Sequence, residues 1–408
     1  MNICIFEDLF ISRLAPLNYF RHTSKLICGA DTLQEKITNF FPAKTTLTLH
    51  SRKYMAAYLA EKFPKARIND LPEGDCIFLN SRVLFKAEEL KEITKLFKKE
   101  KNAALLQDKM IIAFYLSGDK VLQYKEVINA EDDNLVSYAD IEWLGLKINE
   151  VNSYRLINYP SDLILYNEEQ LQYDLNLEMK GKKKLHIGKK CSIGKNVVFD
   201  TSAGRIYIND NTTIEPFTYI KGPVYIGENC TVRSGSQIYG PVRIGGSSKV
   251  SGEITCSILH WYVNKQHYGF LGHSYLCEWV NLGAGTTTSN LKNNYSKIVL
   301  NIDDQKINTN SIFLGSIVGD HTKMGIHTML NTGTMIGVSS NLYGAGYHKK
   351  KIPSYSWDDA TNNENIAYEI EKAISTARTS MQRRNVEMTE AYEKMMRHVY
   401  ENMNDYPL

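Results

Sequence analysis

No run of about 18 apolar residues, the length a membrane helix needs, occurs in this chain. Glu7, Asp8 and Arg13 interrupt the opening stretch before a leader-like apolar segment develops, so no secretory signal peptide and no membrane partner are expected. No C-x-x-C pair is present, and the 7 cysteines are scattered and odd in number. That argues against a zinc site or a disulfide framework and fits a reducing, cytoplasmic compartment. Strong net charge is missing as well: the balance is +3, and Lys182-Lys183-Lys184 and Lys349-Lys350-Lys351 are short runs. They read as solvated loops, so no nucleic-acid partner is expected.

What is there is length and a repeat. At 408 residues, with 43% apolar and 23% charged side chains, the chain is an ordinary globular composition spread over two or three domains. From Ile208 every sixth residue is β-branched and aliphatic: Ile214, Ile220, Ile226, Val232, Ile238, Ile244 and Val250. Most residues at the fourth place after each are small or β-branched, among them Thr212, Thr218, Ser236 and Ser248. Ile187 and Ile193 begin the pattern, and Ile312, Val318, Met324, Leu330, Ile336 and Leu342 resume it.

A period of six is neither helical nor plain strand alternation. It suits a three-walled coil in which each short strand points one aliphatic residue inward and small residues turn the corners. One coil cannot bury its own face, so coils must stack. The pattern resembles the hexapeptide-repeat acyltransferases, whose fold is a left-handed parallel β-helix, usually trimeric. The left hand is implied by that resemblance, since parallel crossovers in general favour the right.

The repeat is expected to break near Ile258 and resume near Leu276, projecting a loop. That stretch and its sequel read Lys265-x-His267-x-x-x-x-Gly272, then Val280-Asn281-Leu282-Gly283-Ala284-Gly285-Thr286. They look like the acetyltransferase half of the bifunctional uridyltransferase/glucosamine-1-phosphate N-acetyltransferase family. The resemblance implies acetyl-CoA as acyl donor and His267 as the general base that deprotonates the acceptor amine, work an imidazole suits near neutral pH. It implies Asn281 as a donor to the oxyanion. Arg233, Glu253, Lys265 and Asn290 become acceptor-binding candidates, and Ala284 and Ser316 acetyl-CoA contacts. The family's sugar-phosphate Lys is Thr255 here and its Tyr past the base is Phe270, which opens the identity of the acceptor. A rival reading takes His260, His267 and His273 as ligands of a zinc ion, as in carbonic anhydrases of the same fold.

Before the repeat, strand and helix patterns alternate: strands over 2–6, 45–50 and 76–79, helices over 33–41, 54–62 and 86–99. This suggests an α/β sheet. Arg13-x-x-Pro16-x-x-x-x-Arg21-x-x-x-Lys25-Leu26, Phe78-Leu79-Asn80-Ser81-Arg82 and Asn158-Tyr159-Pro160-Ser161-Asp162 resemble a shortened nucleotidyltransferase half of the same family. The resemblance implies that Arg13, Arg21, Lys25 and Asn80 bind nucleotide, with Asp162 and Asn167 near Mg²⁺. The expected Gly-rich phosphate loop is Glu7-Asp8-Leu9-Phe10-Ile11-Ser12-Arg13, without a glycine.

The expected architecture is therefore a nucleotidyltransferase-like α/β domain (1–178), a left-handed parallel β-helix (179–350), and a connector with an amphipathic C-terminal helix (351–408). The helix should span about 364–402 and bury a stripe from Ile366 to Val399 against the prism or a neighbouring subunit. The implied function is acetyl transfer to an amino-sugar phosphate in a homotrimer. Uridylyl transfer from UTP, giving a UDP-sugar, is the family's second activity. The alternative is a non-catalytic sugar-nucleotide scaffold or sensor.

Overall fold

The computed structural model describes residues 1–128, 135–302, 305–406 and 408. The chain opens with a seven-stranded sheet in the spatial order Arg67–Ile68, Thr46–His50, Asn2–Phe6, Cys76–Asn80, Met110–Leu116, Ala103–Gln107 and Lys147–Glu150. Its first four strands run parallel, and Met110–Leu116 is antiparallel to both neighbours. The expected helices are present at Leu33–Thr38, Ala56–Lys62 and Ala87–Lys99. Thr32 caps the first of them: its side chain accepts from the Glu35 N–H while the Glu35 carboxylate accepts from the Thr32 N–H.

From Leu185 the chain winds into a three-walled parallel β-helix. One wall has nine strands, the second ten, and the third a run of five from Val198–Asp200 to Phe270–Gly272. The hexad residues from Ile208 to Val250 all point inward and are fully buried. Each such side chain contributes about 1.5–3 kcal/mol when removed from water, and the column is shared between successive coils, so cooperativity follows the stack.

Two expectations are corrected here. The repeat does not break between Ile258 and Leu276: the strands Ile258–Leu259, Asn264–Lys265, Phe270–Gly272 and Tyr275–Leu276 continue all three walls. Ile244 pairs with Leu259 and Val250 with Lys265, so this coil is shorter than its predecessors, and that shortening disguised it. The excursion from the prism comes later, after Thr287–Thr288. It carries the antiparallel pair Val299–Ile302 and Gln305–Asn308 before Ile317–Val318 resumes the wall.

The second correction concerns the tail. It holds two helices, Ile370–Gln382 and Glu390–Glu401, and Glu364–Ala367 is a strand against Ser356–Asp359. Ile366 therefore leaves the expected stripe and is exposed. The rest of the stripe (Ile374, Ala377, Met381, Met388, Tyr392, Met395 and Val399) is buried with Trp279, Val338 and Tyr355 of the prism and with Tyr19, Phe20 and Leu59 of the first domain. The tail so packs on its own chain.

The first domain covers the nine-stranded wall, where Leu14, Leu26 and Ile27 share a buried cluster with Ile258, Tyr275 and Ile317. Polar contacts fix the join. Tyr275 accepts from the Ile27 N–H at 2.9 Å and meets His260 Nε2 at 2.7 Å. Arg21 forms a buried ion pair with Asp320 and donates to Leu17 O at 2.7 Å. All 7 cysteines are free thiols, and among the described residues no helix is long and apolar enough to cross a membrane.

Removing one partner of a buried pair strands the other charge and costs about 3–5 kcal/mol. Asp320→Asn is accordingly expected to lower the unfolding free energy by about that much, read from urea denaturation followed by tryptophan fluorescence. The double change Arg21→Met with Asp320→Leu should recover most of the loss. A single variant as stable as the wild type would show that the pair does not hold the domains together.

Candidate active site

His267 sits at the corner between the ten-stranded wall, left by Asn264–Lys265, and the five-stranded wall, entered by Phe270–Gly272. Its ring is exposed. The corner is held from inside. Lys265 pairs with Val250 in the wall register and so occupies a place that belongs to an aliphatic residue. It is only 2% exposed. Its ammonium donates to Ser251 O at 2.7 Å, His267 O at 3.1 Å and Gly269 O at 2.9 Å. Burial pushes its pKa down to about 8. Gly269 completes the turn at φ +122°, where a Cβ would collide with the Thr286 carbonyl oxygen.

The structure thus gives Lys265 a different position from an acceptor-binding one. All three N–H bonds are spent on main-chain carbonyls, two of them flanking the His267 turn. It is a positioning residue.

Outside the corner lies a cavity of about 610 Å³ lined by His267, Asn281, Ala284, Lys249, Lys323 and Arg384, among others. Asn281 Oδ1 accepts from Asn264 Nδ2 at 2.6 Å, an arrangement that leaves the Asn281 amide N–H bonds for a ligand. The structure therefore brings together His267, Asn281 and Ala284. Ser316 is apart from them: it is fully buried, and its N–H donates to Ser274 Oγ at 2.9 Å.

Of the remaining acceptor candidates, Glu253 and Asn290 lie along the five-stranded wall beyond the His267 corner, and Arg233 directly follows the ten-stranded-wall strand Thr231–Val232. Glu253 is exposed on the five-stranded wall, paired in register with Phe270. Asn290 Nδ2 meets His273 Nδ1 at 2.8 Å, and that ring stacks on Phe313 at 4.9 Å. Burial lowers the His273 pKa to about 4, so the ring is a neutral acceptor. Arg233 is ion-paired with Glu215 at 2.9 Å. The zinc reading gains nothing from the fold: His260 is buried against Tyr275, and among the described residues no group of three His, Cys, Asp or Glu could hold a metal.

In the first domain the nucleotide candidates are dispersed. The glycine-free stretch folds as a 3-10 helix, Leu9–Leu14, capped by Asp8. Asp8 takes two bonds from Arg82, at 2.8 and 2.6 Å, and Glu7 pairs with Arg52 at 3.0 Å. Burial opposes the Glu7 charge, but Arg52, His22 and the Thr23 hydroxyl outweigh it and hold its pKa at about 2. Arg13 lies over the Phe10 ring, 4.5 Å from its centroid. Arg21 is spent on Asp320. Lys25 lies 3.9 Å over Phe63 and, with Arg21, lines a cavity of about 290 Å³ against the prism.

The implied Mg²⁺ does not fit this donor set. Asn80 donates to Asp8 at 2.8 Å and Ile111 O at 2.7 Å, and accepts from the Arg82 N–H. Asp162 Oδ2 accepts the Asn158 and Tyr159 N–H bonds at the start of helix Pro160–Leu165. Asn167 joins Gly29 N to Pro241 O. A hard cation wants several free oxygens converging on it, and these side chains do not converge.

The same two parts are seen by comparison with known proteins. Residues 3–183 match the family model described as sugar nucleotidyl transferase, and residues 205–240 match that of the bacterial transferase hexapeptide repeats. The chain is 30% identical to "Bifunctional protein GlmU" of Methanococcus aeolicus, over 55% of its own length and 53% of that protein. A bifunctional sugar-1-phosphate nucleotidylyltransferase/acetyltransferase of Sulfurisphaera tokodaii is 31% identical over 19% of each chain. The chain thus spans about half the length, or less, of the curated relatives it matches. The solved UDP-N-acetylglucosamine acyltransferase of Francisella novicida superposes with a TM-score of 0.33 at 15% identity, over 53% of this chain and 78% of that one. The prism is the parallel β-helix that the repeat implied.

Sequence reasoning missed Lys249, Lys323, Arg383 and Arg384 in the cavity wall. The hexad phase does carry a signal for the first two, since each directly precedes an inward residue and must point out.

Hydrogen bonds from a charged donor are worth about 1.5–3 kcal/mol. Lys265→Met should therefore cost about 2–3 kcal/mol in urea denaturation and broaden or shift the His267 ring signals in NMR. An unchanged His267 spectrum would show that the ammonium does not hold the corner.

Proposed function

We propose that the prism transfers an acetyl group from acetyl-CoA to the amine of an amino-sugar phosphate, of the glucosamine-1-phosphate class. The observation that carries this reading is an exposed imidazole at a rigid corner, sharing one cavity with an amide that has free N–H bonds. In this reading the amine nitrogen attacks the thioester carbonyl carbon and His267 takes its proton. The carbonyl oxygen becomes an oxyanion that accepts from the Asn281 amide. The C–S bond then breaks, the imidazolium returns the proton to the thiolate, and the products are an amide and free coenzyme A.

Several further features support the same assignment. Glu253, in register with Phe270, and Asn290, which meets His273, lie along the five-stranded wall beyond the His267 corner, where an acceptor subsite could extend. That side of the prism carries the exposed side chains Val198, Phe217 and Tyr268, which suits a homotrimer with the corner facing a cleft between subunits. We assign the protein to the reducing cytoplasm, which suits its free thiols.

We also propose that the first domain binds or positions a sugar nucleotide without transferring uridylyl groups. Its acidic and basic side chains, Glu7 with Arg52, Asp8 with Arg82, Arg21 with Asp320, neutralise one another, leaving little to stabilise a departing pyrophosphate.

Thiol release from acetyl-CoA with glucosamine-1-phosphate should fall by about 10²–10⁴ in His267→Ala and about 10²–10³ in Asn281→Ala, with the assembly state retained. A wild type silent on every amino-sugar phosphate would favour the scaffold alternative. Incubation with UTP, N-acetylglucosamine-1-phosphate and Mg²⁺ should release no pyrophosphate above background; turnover there would overturn the reading of the first domain.

A further inference from the structure

The cavity beside His267 is one-sided in charge. Among the described residues, its lining holds the cations Lys249, Lys323, Arg383 and Arg384 and no carboxylate. Two of them belong to a row fixed by the wall register. Lys249 pairs with Asn264, Asn264 with Asn281, and Asn281 with Lys323, so lysines stand at both ends of two amides on one face. With neighbouring strands about 4.8 Å apart, the row spans about 14 Å.

The other two come from the tail. Arg383 caps the helix Ile370–Gln382, whose Thr376 and Ser380 also line the cavity. The tail's other arginines are neutralised: Arg378 pairs with Glu393 at 2.6 Å, and Arg397 with Glu371 and Glu393. Arg383 and Arg384 make no ion pair among the described residues, so the tail leaves uncompensated the two charges that reach the cavity. Their mutual repulsion is felt: burial first, then Arg384, Arg233 and Arg383, lower the Lys249 pKa, and burial, then Arg383, lower that of Arg384. Lys323, whose ammonium donates to Trp279 O at 2.5 Å, is pushed down by burial to about 7. Clustered cations without a counter-charge destabilise the apo protein, and an anion seated among them relieves that repulsion while gaining charge-assisted hydrogen bonds.

We propose that Lys249, Lys323, Arg383 and Arg384 form a phosphate-binding subsite in the His267 cavity, completed in the same chain by the folded-back tail. The ligand class is a phosphate monoester or diphosphate. Within the acyl-transfer reading, on which the choice of source rests, that group is either the diphosphate of the donor or the phosphate of the acceptor sugar. The stacked rings of Tyr262 and Trp279, 4.0 Å apart and within 2° of parallel, line the same cavity and offer a flat apolar surface beside the cations.

The test is calorimetry on the full chain with inorganic pyrophosphate, coenzyme A and glucosamine-1-phosphate as separate probes. Wild type should bind pyrophosphate with an affinity that falls as sodium chloride rises. Arg383→Gln with Arg384→Gln should weaken it by at least about tenfold, the loss of one charge-assisted contact or more. Arg378→Gln removes a tail arginine that faces Glu393 instead, and should leave pyrophosphate binding as it was. A matching loss for coenzyme A assigns the subsite to the donor, and one for glucosamine-1-phosphate assigns it to the acceptor. Wild-type chain that ignores pyrophosphate, a double variant that binds it unchanged, or an equal loss in Arg378→Gln would each overturn the proposal. His267→Ala separates this from the reaction itself: it should cut turnover by about 10²–10⁴ and retain pyrophosphate binding. Pyrophosphate binding by a wild type without turnover would sink the acyl-transfer reading and leave the subsite standing.

Discussion

Each coil of the prism can bury its inward aliphatic side chain only against the coils above and below it, and every other feature of the molecule is placed by that requirement. Ile208 through Val250 satisfy it without exception. The walls they produce are flat and their corners repeat, so outward side chains form straight rows. A row such as Lys249, Asn264, Asn281 and Lys323 is a by-product of burying Val250 and Leu282 beside it. Where one inward place is given to Lys265 instead, the column loses a methyl-bearing side chain and gains an ammonium that must be satisfied. It finds three carbonyls, and the turn they belong to presents His267. The exposed imidazole at the corner is thus held by a polar defect in an otherwise apolar core.

The remaining two parts of the chain use the walls the prism exposes. The first domain closes the nine-stranded wall and the tail packs across the ten-stranded one, while the five-stranded wall stays open. Charged side chains of the first domain are tied in buried pairs. Arg21 reaches Asp320, Arg52 reaches Glu7 and Arg82 reaches Asp8. A buried pair of this kind contributes little net stability compared with apolar packing, but it fixes one arrangement, since any other leaves a charge alone. Two of these ties hold the first domain together internally, and the third, Arg21 with Asp320, joins it to the prism.

How much of this was legible beforehand varies with the locality of the signal. The period of six identified the prism because each inward residue repeats at a short, regular interval. The strand–helix alternation identified the α/β domain for a similar reason. His267, Asn281 and Ala284 were legible through a compact motif, and they do share one cavity. The apparent break at Ile258 misled because a coil that drops residues at its corners loses the six-residue phase while its walls continue. Lys265 was read as a ligand-binding residue because a lysine within a motif gives no sign of which way it points. The two tail helices were read as one because the turn near Asn385, at φ +55°, contains no proline or glycine to announce it.

What the sequence by itself determined is the prism and its inward column, because those follow from side-chain spacing within one or two coils. Tertiary structure alone decided that Lys265 faces inward, that Arg21 serves Asp320, and that Arg383 and Arg384 return to the His267 cavity. For the arginines the partner lies far along the chain, and which of several competing charges or surfaces each meets depends on how the three parts pack together; Lys265 finds its carbonyls within one coil, but only the folded register turns its side chain toward them.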